Sequence, residues 1–146
     1  MTPVYAGRVQ TRLFLLAAIG LPWTLLIGWL LPRPPTATLG QAYLVLILGI
    51  VVVAVLGLAW DGVYIWLQQY RWEKDWPTLF GLLTAFPEAL TTYIGLRVLT
   101  SWLGLEVDTV AFLLQFFTMW LLMWIFANGP MRVPFIRWRF NGGRVL

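Results

Sequence analysis

Residues 42–60 read AYLVLILGIVVVAVLGLAW. The stretch carries no charge, and Val51, Val52, Val53, Ala54, Val55 and Leu56 follow one another with no polar residue between them. A helix climbs about 1.5 Å per residue, so about 20 such residues cross the roughly 30 Å of hydrocarbon in a bilayer. A spanning strand would instead show about 10 residues alternating polar with apolar. Backbone polar groups in lipid must find partners within their own segment, so the stretch predicts a membrane-spanning α-helix.

Working outward, the pattern recurs. Residues 13–31 and 109–127 are uncharged, and residues 78–96 carry only Glu88. A chain of 146 residues has no soluble core large enough to hide four such segments. Its 60% hydrophobic and 11% charged composition is far from that of a soluble domain. The reading is an all-α integral membrane four-helix bundle, one membrane domain over 1–146. Its spans are expected at about 13–31, 42–66, 78–103 and 109–128, with a basic tail at 129–146.

The cations set the expected orientation. Arg8 and Arg12 precede the first span, Arg71 and Lys74 lie in the central loop, and Arg132, Arg137, Arg139 and Arg144 follow the last. The first loop has only Arg33, the third has Glu106 and Asp108, and Arg97 is close enough to the far interface to snorkel. Four spans collect eight of the ten cations on one side, which the positive-inside rule makes the cytoplasm, with both termini cytoplasmic. Trp66, Trp72 and Trp76 among mixed charges suit a headgroup-level belt. The first apolar run is longer than a signal-peptide core and lacks a small-residue cleavage site, so an uncleaved span is expected. Nine of ten cations are Arg, in keeping with a GC-rich bacterial genome, and a multi-pass protein of the bacterial cytoplasmic (inner) membrane is expected.

Glu88 falls about 15 Å into its span, near the midplane. A carboxyl at that depth must face protein or water. At about 100° per residue, Gly81, Thr84, Thr91, Thr92 and Gly95 share its side of the helix, and Pro87 is expected to kink it. Arg97 lies half a turn away from Glu88, and the neighbours expected near its depth, Thr24 and Thr118 with Gln115 somewhat further out, are neutral. The expectation is a protonated, hydrogen-bonding carboxyl. It serves as glue between helices or, alternatively, as a proton or ion relay. Asp61, at the inner end of the second span, is the other candidate polar station, expected about 10 Å from Glu88 in depth.

Gly20, Thr24 and Gly28 in the first span, and Gly81, Ala85 and Ala89 in the third, recur every fourth residue and predict close helix packing, within the chain or between copies. Phe112, Phe116, Phe117, Trp120, Trp124 and Phe126 make the fourth span a packing or lipid-facing surface, or a flat contact for another subunit. In the tail, Arg132, Arg137, Trp138, Arg139 and Arg144 suit anionic lipid headgroups, or a docking strip for a partner, with Asn141-Gly142 as a hairpin turn. Nucleic acid is not expected as a partner.

There is no cysteine and no histidine, so thiolate chemistry, the usual general base and the commonest metal ligands are missing. No metalloprotease, hydrolase or nucleotide-binding motif occurs. Neither enzyme, metal site nor cofactor is expected. The leading functional expectation is an accessory, anchoring or assembly subunit of a larger membrane complex, contacting lipid and other subunits or copies of itself. The alternative is a small oligomeric transporter, or an ion- or proton-conducting protein, using Glu88.

Overall fold

The computed structural model describes residues 4–70 and 77–145, without the side chains of Arg137 and Arg139. The described residues form helices and turns with no strand, and four helical stretches are long and apolar enough to cross a membrane. Trp72, Trp76, Arg71 and Lys74 of the expected interfacial belt lie outside the described residues.

The first span, α1, runs Tyr5–Ile27, so it starts eight residues before the expected boundary at 13. Arg8 and Arg12 therefore belong to the helix rather than to a tail. A π turn interrupts it at Leu16–Gly20, where the Leu21 amide reaches back to the Leu16 carbonyl. Pro22 has no N–H to give its own preceding turn, and a widened turn is the usual way a helix absorbs that loss.

The second span, α2, covers Leu39–Gln69. Its start is fixed by a capping box: Thr38 Oγ1 accepts from the Gln41 amide at 3.2 Å, and Gln41 Oε1 accepts from the Thr38 amide at 2.9 Å. At 31 residues it exceeds the hydrocarbon thickness by about half again.

The third span is two helices, α3 (Thr78–Leu83) and α4 (Ala85–Trp102), broken at Thr84. The kink expected from Pro87 thus sits three residues earlier, because a proline ring disturbs the turn that precedes it. The fourth span, α5, is Thr109–Asn128, opened by Asp108 accepting from the Ala111 amide at 2.8 Å. A turn at Pro130–Arg132 and a short helix α6, Ile136–Phe140, complete the chain.

Both described ends of the chain meet at one end of the bundle, where the Val4 amide donates to the Gly142 carbonyl at 2.9 Å. The central loop leaves from this basic end too. The interior is mixed: Val53, Leu96, Phe116 and Met119 are fully buried, and so are Thr24, Glu88 and Thr92. The outer faces carry exposed Leu26, Val55, Phe86, Leu90 and Val110. Polar groups inside and bulky apolar groups outside are the arrangement lipid favours.

The aromatic face of α5 turns inward. Phe112, Phe116 and Trp120 are buried, and Phe116 stacks on Trp120 with ring centroids 5.4 Å apart. Those rings pack the core, one of the roles expected of this face, while Phe117, Trp124 and Phe126 are half-buried. Above them, Gln115 Nε2 donates to Thr24 Oγ1 at 2.8 Å and to the Leu46 carbonyl at 3.1 Å, tying three spans together. Gln115→Leu is expected to cost about 1 kcal/mol, the scale of hydrogen bonds between membrane helices, read as a lower midpoint on unfolding in mixed micelles.

Candidate functional site

Arg12 reaches the two carboxylates of the membrane interior at once. Its Nε donates to Asp61 Oδ2 at 2.9 Å and its Nη2 to Asp61 Oδ1 at 3.0 Å. Its Nη1 donates to Glu88 Oε2 at 2.6 Å, and Nη2 also to Glu88 Oε1 at 3.0 Å. Planar guanidinium forks are suited to such bidentate pairing, which a lysine could not reproduce. The side chains are 11% exposed for Arg12, 4% for Asp61 and 2% for Glu88. One cation thus clamps the first, second and third spans.

Helix lengths explain why the three meet. Counted from the basic end, Arg12 lies about 10 Å into α1, Asp61 about 12 Å into α2 and Glu88 about 15 Å into the third span. The length of an arginine side chain closes what remains. Two expectations are corrected here. Glu88 has a cation at its level, where only neutral neighbours were expected. Asp61 and Glu88 are joined through Arg12 rather than separated by about 10 Å in depth, because the long Arg12 side chain reaches both.

Gly57 makes room for this clamp: a Cβ there would stand 2.6 Å from the Arg12 guanidinium. The Arg12 guanidinium also lies 5.8 Å from the Trp120 ring, and Arg8, one turn nearer the basic end, lies 5.8 Å from the Tyr64 ring. The sequence reading missed Arg12, Arg8, Gly57 and Tyr64. A signal existed: Gly57, Asp61, Tyr64 and Gln68, all buried, follow helical spacing and show α2 continuing with a polar inward face.

A cavity of about 390 Å³ leads from the basic end to this cluster. Arg8, Thr11, Arg12, Asp61 and Tyr64 line one wall. Trp120, Met123, Trp124 and Ala127 of α5 line the opposite, apolar one. Gly81, Thr84 and Glu88 of the third span complete it, with Arg132, Trp138 and Gly143 at the mouth. Beyond the cluster the fully buried Val53, Leu96, Phe116 and Met119 close the bundle. Among the described residues the cavity therefore ends at the cluster.

The other residues singled out from the sequence fall into place around this site. Thr84 lines the cavity and its hydroxyl donates to the Gly81 carbonyl at 3.1 Å. Thr91 accepts from Trp60 Nε1 at 2.9 Å, and Thr92 is buried. The small-residue seams are filled from within the chain. Gly20 abuts Met119, Gly28 abuts the Tyr43 ring, and Gly81 faces Trp124 and accepts from Trp120 Nε1 at 3.0 Å. Ala85 and Ala89 are buried.

The tail is not an extended docking strip. Residues Ile136–Phe140 are helical, and the chain turns at Gly142 and Gly143, whose φ of 61° and 84° favour glycine. Asn141-Gly142 therefore ends a helix instead of joining two strands. Trp138 is buried and donates to Thr11 Oγ1 at 2.7 Å, while Thr11 donates to the Gly143 carbonyl at 2.8 Å. Arg132 donates to Asn128 Oδ1 at 3.0 Å, and Arg144 is exposed. The side chains of Arg137 and Arg139 lie outside the described residues.

Comparison of the chain with protein-family models, with curated proteins and with solved structures returns no match.

Proposed function

We propose that this chain is a small transporter of a bacterial cytoplasmic membrane, loaded from the cytoplasmic side and switched by the Arg12–Asp61–Glu88 cluster. The observation that carries this reading is a shared guanidinium at the blind end of a one-sided cavity. A carboxylate that takes up a proton or a solute releases its fork, and Arg12 stays with the other helix. Two joints flank the cluster and support such a movement: the π turn begins four residues after Arg12, and the break at Thr84 lies four residues before Glu88. Burial of Phe112, Phe116, Trp120 and Trp138 within the chain favours this reading over an assembly subunit.

The absence of cysteine makes a substrate-free test direct. In sealed, oriented vesicles, Thr84→Cys is expected to react with an impermeant thiol reagent quickly from the cytoplasmic side and slowly from the other. Glu88→Gln replaces a charged fork by an amide, worth about 1.5–3 kcal/mol. It is therefore expected to raise far-side labelling at least about tenfold while the protein still folds. Labelling confined to the cytoplasmic side in both proteins overturns transport. A stoichiometric companion retained through mild-detergent purification, together with that result, favours the assembly subunit.

A further inference from the structure

We infer that the cavity binds a membrane amphiphile through an anionic, phosphate-type head. The inference rests on reading the cavity as a working site.

Its two walls differ in kind. The first is polar and basic, with Arg8 and Thr11 towards the mouth and Arg12 deeper. The second, formed by Trp120, Met123, Trp124 and Ala127, suits a hydrocarbon chain. A volume of about 390 Å³ falls in the range of small-ligand sites. The charges choose the sign of the head. Each carboxylate of the site already accepts two bonds from Arg12, so an organic cation would have to displace a buried guanidinium. Among the described residues the lining holds three arginines against two carboxylates, and Arg8 and Arg132 lie nearer the basic end than Arg12. Guanidinium groups recognise phosphate oxygens in the same forked manner as carboxylates. The part of α1 before the π turn packs chiefly on α2, and the cavity lies between it and α3 and α5.

The test uses the full chain, exchanged from detergent into neutral phosphatidylcholine nanodiscs doped with phosphatidylglycerol, and native mass spectrometry counts the lipid retained. One phosphatidylglycerol per chain is expected, favoured about tenfold over phosphatidylcholine. Arg8→Gln with Arg132→Gln is expected to remove that preference. Ala127→Trp, which fills the apolar wall and leaves every charge in place, is expected to remove retention. Arg144→Gln, outside the cavity, is expected to keep both. Loss of the preference in Arg144→Gln as large as in the paired variant overturns the site in favour of diffuse surface charge. Equal thermal stabilisation by inorganic phosphate alone overturns the amphiphile, and retention of tetraphenylphosphonium in place of the lipid overturns the sign of the head. Labelling of Thr84→Cys in the same preparations separates the two readings. Retained lipid with one-sided labelling leaves the site without transport, and two-sided labelling without lipid leaves transport without this substrate.

Discussion

Arg12→Leu is expected to be the most damaging single substitution at the cluster, lowering stability by about 3–5 kcal/mol, the cost of leaving buried charge without its partner. Asp61 and Glu88 are 4% and 2% exposed, so neither can recover hydration without opening the bundle. Arg12→Lys is expected to fall between, because an ammonium cannot offer four directed N–H bonds to two carboxylates. Replacing all three residues together by leucine is expected to recover most of the loss, since an apolar trio of similar size carries no desolvation cost. Unfolding midpoints in mixed detergent micelles measure each step, and a midpoint unchanged in Arg12→Leu would remove the clamp from the account. The triple variant also divides stability from activity. It is expected to fold with far-side labelling of Thr84→Cys reduced to the reagent's background, because nothing is left to switch.

How much of this could be read from residues alone depended on the kind of signal. Length and apolarity found the four spans, because lipid thickness imposes a nearly fixed count on any helix that crosses it. The ends were harder. Hydropathy discounts Arg8, Arg12 and Asp61 as loop or interface residues, yet a helix can carry ions into the bilayer when they pair with one another. Once Arg12 was assigned to a tail, Glu88 had no cation to meet, and a neutral carboxyl followed. Asp61 was read as an interfacial residue at the inner end of its span, about 10 Å from Glu88 in depth, because hydropathy does not show that an arginine can bridge the two. Glu88 was still found as the anomalous residue, and Thr84 as its neighbour on the helix. Partnership across spans depends on how far each helix projects at the basic end, which hydropathy does not record. The tail misled for a different reason: alternating apolar and basic residues fit a strand and a one-sided helix turn about equally over five positions.

That tail carries the second large expectation, for Gly7→Leu. A Cβ at Gly7 would overlap the Gly142 carbonyl oxygen and stand 2.8 Å from the Gly143 carbonyl carbon. Both are backbone atoms, with no rotamer to move aside, so the tail must lift. Lifting it breaks the Val4–Gly142 bond, both bonds through Thr11, and the bond from the Val145 amide to Gln10 Oε1 at 3.0 Å. It also pulls Phe135 from its edge contact on Phe14, 5.2 Å between centroids, and exposes Trp138. Bonds of about 0.5–1.5 kcal/mol each give the strap a strength of a few kcal/mol. Protease cleavage within 133–145 is therefore expected to accelerate about a hundredfold, following the open population, while the spans stay protected. Gly142→Ala, strained at its φ of 61° and 3.1 Å from Val4, is expected to move the same way by less. Trp138 and Gly143 line the cavity mouth. The lifted tail should thus also speed labelling of Thr84→Cys from the basic end, whereas a cleavage rate equal to wild type would show that the strap closes nothing.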